Sequence, residues 1–166
     1  GNPWAQGALR TIGPDDPVLL IGSGLTAVDV LMGLHADGHR GPITVVSGHG
    51  RWPAAHRLHP EEPYPSFYQQ ELAGLPRVAE VLRVVRRHVQ AAQAQGFDWR
   101  SVIDSLRPHL GCIWQAWPLE EQARFLRHLG GIWSVVRHRS PPQNAATLAH
   151  LLDTGQVQVV PGRVDH

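Results

Sequence analysis

The sequence predicts an α/β chain: a small parallel sheet of about three strands, with a helical insertion between the second and the third. Three observations carry this. The apolar run Pro17-Val18-Leu19-Leu20-Ile21 passes directly into a glycine turn and then a helical pattern. A second run, Ile43-Thr44-Val45-Val46-Ser47, completes the strand–helix–strand span of about 30 residues expected of a βαβ unit with a right-handed crossover. Helical spacing then dominates from residue 66 until Val157-Gln158-Val159-Val160 returns to a strand pattern.

Residues 1–16 read as an irregular lead-in, punctuated by Pro3, Gly13 and Pro14. Residues 17–21 are bounded by proline and glycine and continuously apolar, as a buried parallel strand is. From Gly24 to about Asp37, Val28, Leu31, Met32 and His35 recur at helical spacing, and Gly38 supplies a stop. A loop rich in Gly, His and Pro follows Ser47, with one or two helical turns over 66–73. Helical stripes run over 77–95, 98–117 and 119–137, the last weakened by Gly130-Gly131. A final helix from Pro142 to Leu152, with proline near its start, precedes the third strand at 156–160. The expected division is a lead-in over 1–16 and one domain over 17–166, with the insertion at 66–139.

Length and composition fit a globular chain: 166 residues, 42% hydrophobic and 17% charged. A formal net charge of +1 gives no pull toward nucleic acid or a membrane surface. No apolar run is long enough to span a bilayer, and no signal pattern opens the chain, so a cytoplasmic location is expected. All 15 basic residues are arginine, which removes lysine-based mechanisms such as Schiff bases. Cys112 is the single cysteine, in the apolar stretch Leu110-Gly111-Cys112-Ile113-Trp114, and reads as a buried structural thiol. The absent Met at the start and the strand-like run near the end read as cuts inside a longer protein.

The chemistry lies first in Gly22-Ser23-Gly24-Leu25-Thr26-Ala27. A helix N-terminus offers free N–H groups and the positive end of the helix dipole to a phosphate. Gly22 permits the tight turn, Gly24 lets the backbone approach a pyrophosphate, and Ala27 is small enough for close helix–strand packing. Ser23 and Thr26 add hydroxyls. Placed between strand and helix, this GxGxxA pattern reads as a Rossmann-like dinucleotide site, against the alternative of a glycine turn kept only for packing. Dinucleotide sites for NAD or FAD place an acid at the end of the second strand. Here that end is Ser47-Gly48-His49-Gly50-Arg51, without an acid. Ser47 as a hydrogen-bond partner and His49 or Arg51 as a charge partner suit a 2′-phosphate, so NADP is favoured, with NAD still possible. The alternative for Arg51 is a solvated loop arginine.

Other candidates are weaker. The 11 histidines include His49, His56 and His59 in one loop, but their spacing matches no metal site. Arg137-His138-Arg139 reads equally as a grip for phosphate or carboxylate and as cations complementing a helix C-terminus. The six tryptophans read mostly as core or domain-interface residues. Neither a Gly-x-Ser-x-Gly elbow nor a P-loop is present, and no catalytic residue is assigned.

Val18-Leu19-Leu20-Ile21-Gly22-Ser23-Gly24-Leu25-Thr26-Ala27-Val28-Asp29, followed by Gly38-His39-Arg40-Gly41-Pro42-Ile43, resembles bacterial FAD/NAD(P)-binding proteins of the flavoprotein-monooxygenase type. Asn2-Pro3-Trp4 and Arg137-His138-Arg139-Ser140-Pro141-Pro142 look like the same group. The resemblance implies an internal NAD(P)-binding segment of a two-dinucleotide flavoprotein. An FAD domain of the same full-length chain is then its partner. FAD belongs to the full-length protein alone, and the isolated segment is not expected to turn over. Gly22, Gly24 and Ala27 carry over at the pyrophosphate. The family's loop after the second strand usually reads Ser-Arg-Arg-Gly, from which Ser47-Gly48-His49-Gly50 departs. The expected function is therefore the NAD(P)-binding part of an FAD-dependent oxidoreductase. The alternative is a non-enzymatic nucleotide-sensing or protein-interaction module of the same fold; a metal-dependent hydrolase is disfavoured.

Overall fold

The computed structural model describes residues 5 and 7–164, so the Asn2-Pro3-Trp4 part of the resemblance lies outside the described residues. The chain is α/β. Strands β1 (Val18–Ile21), β2 (Ile43–Ser47) and β3 (Val157–Pro161) form a parallel sheet in the order β1-β2-β3. Val18 pairs with Ile43, and Ile43 with Val157. Helix α1 (Leu25–Ala36) makes the crossover from β1 to β2. Helices α2 (Val78–Ala94), α3 (Trp99–Ser105), α4 (Leu110–Ala116), α5 (Leu119–His128) and α6 (Gly130–Arg137) fill the insertion, and α7 (Pro142–Asp153) leads into β3.

The chain divides into two compact units, each with its own core. The sheet unit holds the residues up to Leu58 and from His138 onward; the helical unit is His59–Arg137. The insertion thus begins earlier than 66. The Glu61 carboxylate accepts from the Ser101 hydroxyl at 2.9 Å and from the Asp98 amide at 3.2 Å, tying residues before 66 to α3. It also ends before 139, because Ser140 pairs with the loop after β2: its amide donates to the Ala54 carbonyl, and its carbonyl accepts from the His56 amide.

In the sheet unit, α1 and α7 pack together over a core of Val28, Leu31, Leu34, Ile43, Val45, Leu148, Leu151 and Val157. Val18 and Leu20 pack against it. Their alternation puts these strand residues on one face of the sheet. The other face is open at Leu19 (59% exposed), Ile21 (72%) and Val160 (47%). The expectation that β1 is fully buried is therefore corrected: its partners cover one side, and its continuous apolar run conceals a strand with one exposed face. The lead-in is not a separate segment. Leu9 and Ile12 pack against the same core, and the Pro14 carbonyl accepts from the amides of Arg40 and Gly41. Gly41 has a packing reason to be glycine, since a Cβ there would sit on the backbone of Asp15 and Asp16.

In the helical unit, Phe67, Leu72, Val81, Ala92, Val102, Leu106, Ile113 and Trp117 form the core. One π-helical turn, Tyr68–Leu72, occupies the segment expected to make one or two turns. The stripe over 98–117 is broken into α3, a 3-10 turn Arg107–His109 and α4, because Pro108 has no N–H to continue a helix. The stripe over 119–137 breaks at Leu129 into α5 and α6, just before the two glycines. Cys112 is exposed: α4 buries Ile113 and turns the neighbouring thiol to solvent, which corrects the buried-thiol expectation. No helix among the described residues is long and apolar enough to cross a membrane.

Candidate functional site

The turn after β1 is built from backbone geometry. Gly22 has φ +98°, a conformation L side chains rarely adopt, and its amide donates to the Val46 carbonyl at 2.8 Å. Gly24 follows as the N-cap of α1, with φ −79° and ψ −172°. Its carbonyl accepts from the amides of Ala27 and Val28, and no side chain caps the helix. The first amides of α1 therefore have neither a helical acceptor nor a side-chain one. Ala27 is buried against the unit, as the close-packing role requires, while Gly24 and Thr26 are exposed and Leu25 is half-buried.

Gly24 bears on the packing alternative for the turn. Its φ is open to any residue, and a Cβ placed on it would meet no atom within 4 Å. Neither conformation nor internal packing requires glycine there. Gly41 shows what a packing glycine looks like in the same unit; Gly24 is the opposite case. The same open space lies before Gly48, Gly111 and Gly162; at Gly24 it stands beside the uncapped amides of α1.

The fold brings the end of β2 to this turn. The Ser23 hydroxyl donates to the Arg51 carbonyl at 2.6 Å and lies 2.8 Å from the Ser47 hydroxyl. Because a carbonyl only accepts, the single Ser23 proton is committed to Arg51, and Ser47 must donate to Ser23. Ser23 and Ser47 thus form a clasp holding the turn, the end of β2 and the following loop together. In this arrangement Ser47 has no proton left for a 2′-phosphate, and Ser23 none for a pyrophosphate. Sequence spacing does not show this, because the pair is separated by 24 residues. His49 and Arg51 are both exposed on the same loop, and no acidic residue occurs between Ser47 and Arg51.

The second cationic candidate spans the boundary between the two units. Arg137 ends α6 in the helical unit, and Arg139 belongs to the sheet unit, where it is buried (5% exposed) beside the paired Ser140. Among the described residues, no group of three or more His, Cys, Asp or Glu side chains is arranged to hold a metal ion.

No protein-family model, no curated protein and no solved structure matches the chain.

The helical unit holds polar arrangements that sequence spacing did not reveal. Glu121 is buried and its carboxylate accepts from the Val78 amide at 2.8 Å, capping α2 from 43 residues away. His88 stacks on Phe67 at 3.7 Å, with Nδ1 at 3.0 Å from the Tyr64 hydroxyl and Nε2 at 2.9 Å from Glu71. Burial, then the neighbouring Arg87, lowers its pKa. Neutral His88 satisfies both contacts, with Nε2–H donating to Glu71 and Nδ1 accepting from Tyr64.

Proposed function

We propose that the chain is the NADP-binding part of an FAD-dependent oxidoreductase, in which NADPH reduces a flavin held by a separate domain. The observation that carries this is Gly24, a glycine with an ordinary φ and empty space before it, at the uncapped start of α1. The amides of Gly24, Leu25 and Thr26, with the Thr26 hydroxyl, would hold the pyrophosphate. The Ser23–Ser47 clasp would fix the distance from that cradle to the loop bearing His49 and Arg51. Those two side chains supply charge for a 2′-phosphate where an NAD site would present a carboxylate. Bound nicotinamide supplies hydride, and the flavin does the harder chemistry.

The sheet supports membership in a larger assembly. Among the described residues β1 pairs on one side alone, with β2. A doubly wound domain places a further strand beside its first strand and helices on both faces. The unpaired side of β1 and the exposed Leu19 and Ile21 lie where those elements would go. The bacterial flavoprotein resemblance of residues 18–43 agrees with this reading.

Isothermal titration of the chain with NADPH and NADH tests it. Saturable binding of NADPH, at least about tenfold tighter than NADH, is expected where a charged 2′-phosphate contact is made. Equal binding of both would remove the NADP assignment. Binding of neither would leave the non-enzymatic interaction module as the better reading.

A further inference from the structure

The loop after β2 is anchored on both flanks. On the β1 side the Ser23 hydroxyl donates to the Arg51 carbonyl at 2.6 Å. On the β3 side Ser47 stands in register with Pro161, and the Ser47 carbonyl accepts from the Gly162 amide at 2.9 Å. Gly50, with φ +61°, lies against the same strand: a Cβ there would stand 3.4 Å from Val159 Cγ1 and 3.8 Å from Pro161 Cγ. Neighbouring strands lie about 4.8 Å apart, so the end of β3 runs beside the base of this loop as closely as the end of β1 does.

Arg163 follows Gly162, and consecutive Cα atoms are about 3.8 Å apart. Its backbone therefore emerges next to the loop that carries His49 and Arg51, at the carboxyl end of the sheet where the α1 turn also lies. Arg163 is exposed, and among the described residues it makes no hydrogen bond or ion pair. Residues 47–58 and 157–164 contain no Asp or Glu. The next acid, Asp165, lies outside the described residues. Arg51 and Arg163 thus bring two guanidiniums to one corner of the sheet. Sequence spacing hides the pair, because the whole helical unit lies between them in the chain.

Charge selects the ligand group that suits this corner. A phosphate monoester carries about −1.5 to −2 at neutral pH, which two guanidiniums match. The pyrophosphate has its own donors in the α1 amides on the β1 flank. The 2′-phosphate is the other anionic group of NADP. It branches from the adenosine ribose, which sits at the end of the second strand in a Rossmann-type site. Planar guanidiniums grip such a group bidentately. Two of them, carried on different strand ends, do so from two directions, which a single loop arginine cannot.

We infer that Arg163 is a second binding residue for the 2′-phosphate of NADP, closing on it from the end of β3 while Arg51 closes from the loop after β2. The inference rests on the NADP reading of the α1 turn.

Isothermal titration of the full chain tests it with two pairs of probes: NADPH and NADH, and the fragments adenosine 2′,5′-bisphosphate and AMP. Each pair differs in the 2′-phosphate alone. Arg163→Ala is expected to weaken NADPH and the bisphosphate about tenfold, the scale of one hydrogen bond between charged groups, and to leave NADH and AMP unchanged. Arg163→Lys keeps the charge and should recover part of the loss. Arg40→Ala removes the same charge at the opposite end of the sheet unit, where Arg40 pairs with Asp15, and should change NADPH affinity less than about twofold. Thermal unfolding confirms the native fold of each variant. An unaltered chain that prefers NADPH, with the same NADPH affinity in Arg163→Ala, overturns the role of Arg163 and leaves the NADP reading standing. Equal losses in Arg40→Ala and Arg163→Ala also overturn that role, since overall charge then explains the effect. Equal binding of NADPH and NADH by the unaltered chain, or binding of neither, removes the NADP reading and this inference with it.

Discussion

Three glycines of the sheet unit do different work, and substitution separates them. Gly22 is held at φ +98°, so Gly22→Ala should cost about 1–2 kcal/mol of stability through backbone strain. Gly41→Ala would push a methyl group into the backbone of Asp15 and Asp16 and should destabilise by about 1–3 kcal/mol. Gly24→Ala meets neither obstacle. Its cost should stay below about 1 kcal/mol, the scale of an N-cap exchange, while NADPH affinity falls at least about tenfold. Chemical denaturation and calorimetry on the three variants check this. A stable Gly24→Ala protein that binds NADPH as before would remove the role given to that position. Arg51→Ala should reduce NADPH affinity and leave any NADH affinity unchanged, with the NADPH effect shrinking as salt is raised. Among these residues the sequence pattern showed the turn and the acid-free strand end. It could not show that the Ser23 and Ser47 hydroxyls are committed to each other and to the Arg51 carbonyl, because that depends on atoms brought together by the fold.

At the scale of elements, the helical unit is organised by contacts between segments distant in sequence. Glu121 on α5 caps α2 at Val78 and also pairs with Arg124 at 2.8 Å. Glu121→Ala would leave the Val78 amide unsatisfied, and a loss of about 1.5–3 kcal/mol is expected, the scale for a hydrogen bond to a charged group. Thermal unfolding of the variant measures it; an unchanged midpoint would show that the cap contributes nothing. His88 on α2 joins Tyr64 and Glu71, whose other oxygen pairs with Arg87. Its pKa is lowered below the ordinary 6.5 by burial and by Arg87. The folded unit therefore binds fewer protons at this site than the unfolded chain. The His88 contribution is present above about pH 6.5 and is lost as pH falls through that value toward the lowered folded one. Stability measured from pH 7.5 to pH 5 should decline, and His88→Phe should remove that part of the slope; identical slopes would contradict it.

Element positions were largely legible because strand and helix periods are local properties of the chain. The exceptions have local physical causes: Pro108 interrupts the stripe over 98–117, and the stripe over 119–137 ends its first helix at Leu129. The exposed face of β1 was not legible. An apolar run reads the same whether one side of the strand is covered or both, and what covers Leu19 and Ile21 is a tertiary matter. The same limit applies to the insertion boundaries, which were set by Glu61 reaching α3 and Ser140 pairing with Ala54.

For the whole molecule, two separate cores predict more than one unfolding transition. A ligand stabilises the state it binds, by about 2.7 kcal/mol at a hundredfold excess over its dissociation constant. NADPH should therefore raise the transition of the sheet unit and leave that of the helical unit in place. Scanning calorimetry with and without NADPH measures it; a single transition shifted as a whole would argue against independently unfolding units.

The proposed function requires a dinucleotide phosphate on the first turn of α1. A titration of the isotopically labelled chain with NADPH, followed by amide NMR, tests it residue by residue. The largest shifts are expected at Gly22, Gly24, Leu25 and Thr26, with smaller ones at His49 and Arg51 and little change across α2 to α6. Saturation without movement of the Gly24, Leu25 and Thr26 amides, or no saturable response at millimolar NADPH, would contradict it.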